Sequence, residues 1–413
     1  MLPADSTPTP APRGATLISH TGFAYFPLAF IARLPFAMLV VGVLTLIVSL
    51  RGSVETAGLG SAMVGIGSAI VGPLIGAAAD RFGQRPTLIV AGLCNSLALV
   101  AIAWVTTADT PDSAVFITAF FVGATVPQVS PMSRSRVVTI ATTRLPPERA
   151  PRALSSILAY ESAADEMVFV FGPVIVGVLA LAFGAWAPIV GAAVLTVFFV
   201  GAFALHRTAV PARTKEERAA VLAPASHLFR PSLLVIVFGI FSVGLIFGTT
   251  LTTLTAFMQQ QGDAESAGLL YGAMGVGSAI LALCVALFSP RFTLRYRWLL
   301  FNLFIIVGGI ALARADSVGT VLVGLSLMGI GIGPLLVTIF SFGAIRSPEG
   351  RSATVMTMLG SGIMLGQSLA AAATGAVAED AGVEVAMLLP LGAGTLVLAC
   401  GAANWALTPP EGS

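Results

Sequence analysis

Residues 57–70 read AGLGSAMVGIGSAI, and 210 positions later residues 267–280 read AGLLYGAMGVGSAI. Eight of these fourteen pairs are identical, and the same offset carries on to Arg81, Phe82 and Arg85, matched by Arg291, Phe292 and Arg295. With a small indel, Asn95 meets Asn302. A weaker echo pairs Pro147, Glu148, Arg152 and Ala153 with Pro348, Glu349, Arg351 and Ala353. Chance likeness between Gly/Ala-rich segments does not keep one offset across an apolar run, a polar break and the start of the next run. The chain therefore reads as two related halves.

Both copies sit in a chain of 413 residues that is 56% hydrophobic and 10% charged, with a mean hydropathy of +0.95. That composition excludes an ordinary soluble domain. Apolar runs recur at 23–49, 57–79, 86–106, 113–138, 153–181, 185–205, 231–257, 267–289, 297–313, 318–343, 352–378 and 385–407. A hydrocarbon core about 30 Å thick takes about 20 helical residues to cross. Backbone groups must pair within the segment there, so each run predicts a transmembrane helix. The expected fold class is an all-α membrane protein of twelve transmembrane helices in two pseudosymmetric six-helix bundles. Its expected divisions are a disordered tail (1–22), a first bundle (23–205), a charged linker (206–230), a second bundle (231–407) and a tail (408–413). The first run is too long for a signal-peptide core and is expected to be retained.

The net charge of +2 matters less than its placement. With the amino terminus inside, 18 of the 21 Lys and Arg residues fall on cytoplasmic segments or the helix ends beside them. Arg51 and Arg314 lie opposite, and Arg33 lies within the first run. This bias predicts both termini in the cytoplasm. The Arg-rich, Ala/Gly/Val-rich composition suggests a bacterial genome, hence a multi-pass protein of the inner membrane.

Catalytic and metal constellations are absent. Cys94, Cys284 and Cys400 stand alone in apolar runs and read as small core residues, while His20, His206 and His227 lie in polar segments. Gly329, Gly331 and Gly333 before Pro334 lie in an apolar run, where small residues permit close packing and Pro permits bending, so no phosphate loop is implied. Pro127 and Pro131 read as similar flexible walls. No enzyme activity, metal, cofactor or nucleic-acid partner is expected; the partners are lipid, protons and a small-molecule substrate, and the chain is expected to be monomeric.

The fifth run holds Glu161, Asp165 and Glu166. Glu161 and Asp165 share one helical face, and Glu166 lies about 100° further round. A carboxylate at the bilayer centre costs about 3 kcal/mol on insertion scales, so such a cluster marks function. Arg33, at matching depth in the first run, is the natural counter-charge. Two acids sharing one cation cannot both ionise cheaply. Asp165 or Glu161 is accordingly expected to carry protons, with Arg33 as partner; a static ion pair beside one water-lined acid is the alternative.

Between the second and third runs the chain reads GAAADRFGQRP over residues 76–86. This resembles the signature loop of the major facilitator superfamily, G-x-x-x-D-R-x-G-x-R-R, departing only at Pro86. Gly76, Asp80, Arg81, Gly83 and Arg85 carry the match. Gly172, Pro173 and Gly177 partly resemble that superfamily's antiporter motif, and Arg134 and Arg136 loosely resemble a second basic motif. The resemblance implies a central cavity lined by the first, fourth, seventh and tenth helices, and a gating loop in which Asp80 pairs with Arg85 or with the positive end of a helix. Gln128, Arg134, Arg136, Gln367, Phe241 and Phe340 are candidates for the cavity wall. The function implied is proton-coupled efflux of small apolar or amphipathic, drug-like compounds by alternating access. A proton-coupled importer or facilitator of a metabolite such as a sugar is the alternative, and a lipid translocase or a non-transporting membrane protein a further one.

Overall fold

The computed structural model describes residues 17–108, 110–211, 222–261, 267–289 and 291–407. The expected tail at 408–413, most of the expected tail at 1–22 and the middle of the linker, 212–221, lie outside the described residues. So do the side chains of Glu166 and Pro173. Within the expected amino-terminal tail, Leu17–Thr21 is a one-turn helix that buries Thr21.

Among the described residues the secondary structure is entirely helical. The first span is Tyr25–Ile31 followed by Leu34–Arg51, the second Val54–Phe82 and the third Gln84–Thr107. Asp112–Ala124 and Val129–Arg144 make the fourth, and Ala150–Phe183 the fifth. The sixth runs from Ala187–Leu195 through a π turn, Thr196–Val200, into Gly201–Leu205. Pro231–Gln260, Ala267–Cys284, Leu294–Ala313, Val318–Arg346, Ser352–Asp380 and Leu389–Leu407 are the seventh to twelfth. Among the described residues, eleven spans are long and apolar enough to cross a membrane. The fifth has the length, 34 residues, but carries the acids.

The two broken spans owe their breaks to proline. Pro35 has no N–H to give the Ile31 carbonyl, and the chain tightens so that Arg33 N–H donates to Phe30 O at 3.2 Å. Pro127 likewise cannot serve the Gly123 carbonyl, which accepts from Val126 N–H at 3.3 Å instead. Polar side chains satisfy the carbonyls around this second break. Asn95 Nδ2 donates to Val122 O at 2.8 Å, and Gln128 Nε2 donates to Val126 O at 3.2 Å. Asn302, the repeat partner of Asn95, serves a carbonyl too, that of Gly394 at 3.2 Å.

The duplication is visible in the packing. A Cβ on Gly123 would overlap the Val64 carbonyl, bringing the fourth span onto the second. Gly333, 210 positions on, meets the Ser278 carbonyl in the same way, bringing the tenth span onto the eighth. The halves meet along two related seams. In one, Gly65, Gly72 and Gly76 of the second span take Ser368, Ser361 and Thr357 of the eleventh. In the other, Ala159 and Ala163 of the fifth span pack with Ala279 and Ala282 of the eighth and Val337 of the tenth.

Small residues at these crossings are therefore a condition of the fold. Gly123→Ala is expected to cost roughly 1–3 kcal/mol through overpacking, read as a lower midpoint of thermal unfolding in detergent. Gly177→Ala, where a Cβ meets nothing within 4 Å, is expected to leave that midpoint unchanged. Equal midpoints for the two variants would refute this packing.

Candidate functional site

The two helix breaks and the fifth span converge on one ionic cluster. Arg33, held at the break in the first span, reaches both acids of the fifth: Nη2 pairs with Glu161 Oε2, and Nη1 lies 3.1 Å from Asp165 Oδ1. Arg33 Nη1 also donates to the Glu161 carbonyl at 3.3 Å. The first turns of Val129–Arg144, below the second break, bring up Ser130, Ser133 and Arg134. Their spacing puts them on one helical face. Ser130 Oγ donates to Asp165 Oδ2 at 2.7 Å, and Arg134 Nη2 approaches the same oxygen at 2.8 Å. Ser133 Oγ donates to Glu161 Oε1 at 2.9 Å. Because Ser133 uses its proton there, Tyr25 Oη, 2.7 Å from Ser133 Oγ, is the donor in that contact.

The acids are thus unequal. Glu161 is fully buried with both oxygens bonded, whereas Asp165 keeps 21% of its side chain exposed. That exposed edge faces a cavity of about 60 Å³ between the halves, lined also by Arg33, Gln128, Arg134, Phe340 and Gln367. Phe340, on the tenth span, lays its ring against the guanidinium of Arg134 with 3.5 Å between them. An arginine of one half is thereby stacked on an aromatic of the other.

Arg33, Asp165, Gln128, Arg134, Phe340 and Gln367 are thus gathered at one cavity, with Glu161 directly behind it. Arg136 and Phe241 are not among its lining residues. Arg136 turns away to donate to Gln84 Oε1 at 2.6 Å and Phe203 O at 2.8 Å, and lies 3.8 Å over the Phe203 ring. Phe241 is on the seventh span, whose backbone abuts Gly366 of the eleventh. The eleventh span therefore lies between the seventh and the cavity. It supplies Gly360, Ile363, Met364 and Gln367 to the wall, and the seventh span supplies none. Matching depth in the sequence paired Arg33 with the acids. The second guanidinium on Asp165, and the two serines, were marked only by the Ser130-Ser133-Arg134 spacing.

The loop residues form a second site at the arginine-rich face. Gly83, with φ of +91°, ends the second span in a conformation that favours glycine. Asp80, one turn earlier, accepts from Ala353 N–H at 3.2 Å, Thr354 N–H at 2.8 Å and Thr354 Oγ at 2.6 Å. A carboxylate there caps the eleventh span and meets the positive end of its dipole. Gly76 makes the approach possible, because a Cβ would overlap Thr357 Oγ1. Arg85 remains within its own half, on the Leu205 carbonyl at 3.2 Å, and Arg81 lies 5.1 Å from the Phe82 ring. Beside Asp80 a cavity of about 490 Å³ is lined by Ser135, Thr139, Thr143 and Glu349. Of the remaining motif, Gly172 packs the fifth span against Ala37 of the first, two turns from Asp165, and Gly177 has open space.

The profile of the Major Facilitator Superfamily matches residues 25–371. A search of the curated proteins finds no significant match. Among solved structures, the chain is similar to the human organic anion transporter MFSD10 (TETRAN). Identity there is 16%, the TM-score is 0.70, and the match covers 94% of this chain and 100% of that one. A bacterial homologue of the iron transporter ferroportin, in an outward-facing state, is similar at 14% identity and a TM-score of 0.67, covering 95% and 100%. The same homologue with soaked iron gives 14% and 0.64, covering 92% and 98%. These likenesses show the fold.

The Asp80 contacts tie the second span to the eleventh beside that larger cavity. In a chain whose native cysteines are replaced by serine, Asp80→Ala is expected to raise the maleimide-labelling rate of Thr139→Cys several-fold. Unchanged labelling would show that Asp80 does not hold this face.

Proposed function

Since the chain belongs to the Major Facilitator Superfamily, we propose that this multi-pass membrane transporter is proton-coupled, moves small amphipathic compounds by alternating access, and takes up and releases its proton at Asp165. The observation that carries the reading is the unequal setting of the two acids. Glu161 is dry and bonded at both oxygens, so it serves as a fixed counter-charge for Arg33. Asp165 meets the cavity while bridging Arg33 and Arg134, so a proton arriving there changes a contact on each of two spans.

The apolar wall of Phe36, Val168, Ile363 and Met364 suits an amphipathic body better than a sugar, which would call for many hydrogen-bonding side chains. The bias of Lys and Arg supports placing both termini in the cytoplasm of a bacterial inner membrane, which makes the Asp80 face the cytoplasmic gate. Efflux by exchange, implied by the likeness of Gly172, Pro173 and Gly177 to an antiporter motif, is one direction of coupling. Co-transport is favoured by a specific observation: both Asp165 oxygens are held by cations, so a ligand that competes for those cations needs the proton bound first.

Proteoliposomes holding a pH-sensitive dye and challenged with lipophilic cations, carboxylates, sugars and amino acids test the proposal. At least one compound is expected to drive a proton flux whose sign gives the direction. Asp165→Asn is expected to lose that flux at least tenfold while substrate exchange at equal pH persists. Full proton flux in Asp165→Asn would overturn the assignment.

A further inference from the structure

We propose that Arg134 and Arg33, with Phe340, form the binding site of an organic anion, whose acidic head replaces the Asp165 carboxylate on Arg134 once Asp165 carries a proton. This deepens the proposed function at the same site and rests on that reading.

The donor and acceptor inventory points to the charge of the ligand. Both oxygens of Glu161 and both of Asp165 are engaged by Arg33, Arg134, Ser130 and Ser133. The Nε atoms of Arg33 and Arg134 are buried without a hydrogen-bond partner, and each residue is only 2% exposed. Both residues line the cavity. The wall thus holds two charged donors with unused capacity. Its amide oxygens, on Gln128 and Gln367, carry no charge to offset an incoming cation. Phe340 covers the face of the Arg134 guanidinium and leaves its edge, the part that matches a carboxylate or sulfonate in a two-pronged contact.

Charge balance adds the proton. Facing Asp165 are Arg33 from the first span, Arg134 and Ser130 from the fourth, and Glu161 from its own. The second half faces the cavity with Phe340, Ile363, Met364 and Gln367, none of them charged. Two cations and two carboxylates make this described set neutral. An anion alone would leave a net buried negative charge, which is costly without a partner. An anion with one proton on Asp165 restores neutrality. The proton comes from water, resides on Asp165 while the anion occupies Arg134, and returns to water when the anion leaves. A cavity of about 60 Å³ admits an acidic head; the apolar body enters as the half bearing Phe340 withdraws.

Binding to the purified full chain in lipid nanodiscs, with empty nanodiscs subtracted, tests this. The probes are naphthalene-2-sulfonate and (2-naphthylmethyl)trimethylammonium, whose charges do not change between pH 5 and pH 8. The sulfonate is expected to bind, tightening by up to about tenfold per unit fall in pH, the slope of one linked proton. Asp165→Asn is expected to bind it at pH 8 as tightly as the parent does at low pH, with no pH slope. Arg134→Gln is expected to weaken it roughly thirtyfold or more; should that variant not fold, Arg134→Lys and Phe340→Leu are each expected to weaken it several-fold. Binding of the ammonium but not the sulfonate, or an unchanged pH slope in Asp165→Asn, would overturn the anion site. A proton flux driven by cations or neutral compounds alone would do the same while leaving proton-coupled transport standing. Sulfonate binding with the expected pH slope supports the site even where no proton flux is seen, in which case the transport reading falls.

Discussion

A carboxylate shared by two buried guanidiniums at the edge of a cavity holds its surroundings only while it is charged. Asp165 is in that position, with Arg33 on one oxygen and Arg134 on the other. Taking a proton removes the attraction and leaves the two guanidiniums with a repulsion that the carboxylate had screened. Arg33 keeps Glu161, whose oxygens are already fully bonded, so it has little reason to move. The response falls on Arg134. Because its face rests on Phe340 of the tenth span, a local change of charge is felt where the halves meet.

The eleventh span joins the centre to the gate proposed at Asp80. It is one unbroken helix of 29 residues. Its first turn is held by Asp80, and further along it supplies Met364 and Gln367 to the cavity wall. It lies on the second span along a row of glycines facing hydroxyls. Beside that row Met364 of the eleventh span packs into the first half's core, which couples the two spans. Displacement at one end of this helix is therefore carried to the other.

Much of this architecture was legible in the residues. Segment length and polarity marked the spans, and one fixed offset marked the duplication. The acids of the fifth span stood out because carboxylates do not persist among lipid-facing residues without a purpose. Other features depend on directions that periodicity does not encode. Arg134 and Arg136 are two residues apart, hence on different faces of one helix, and only packing decides that one meets Asp165 while the other meets Gln84. The absence of the seventh span from the cavity wall follows from glycine contacts that seat the eleventh in front of it. Asp80 likewise had two plausible partners, and the close approach allowed by Gly76 brings it to a helix end.

Magnitudes set the scale for one proton as a driving event. Moving a two-state equilibrium from 1:99 to 99:1 takes about 5.5 kcal/mol of difference between the states. Removing one partner of a buried ion pair costs about 3–5 kcal/mol. A desolvated arginine on an aromatic face contributes up to about 2 kcal/mol. The carboxylate at a helix end adds about 0.3–1 kcal/mol from the dipole. Neutralising Asp165 therefore falls short of a full switch by itself, and the Asp80 contact, which has three hydrogen bonds besides the dipole, is of comparable size. A stronger clasp at Asp80 would lock the halves whatever the charge at the centre, and a weaker one would let them part without a proton.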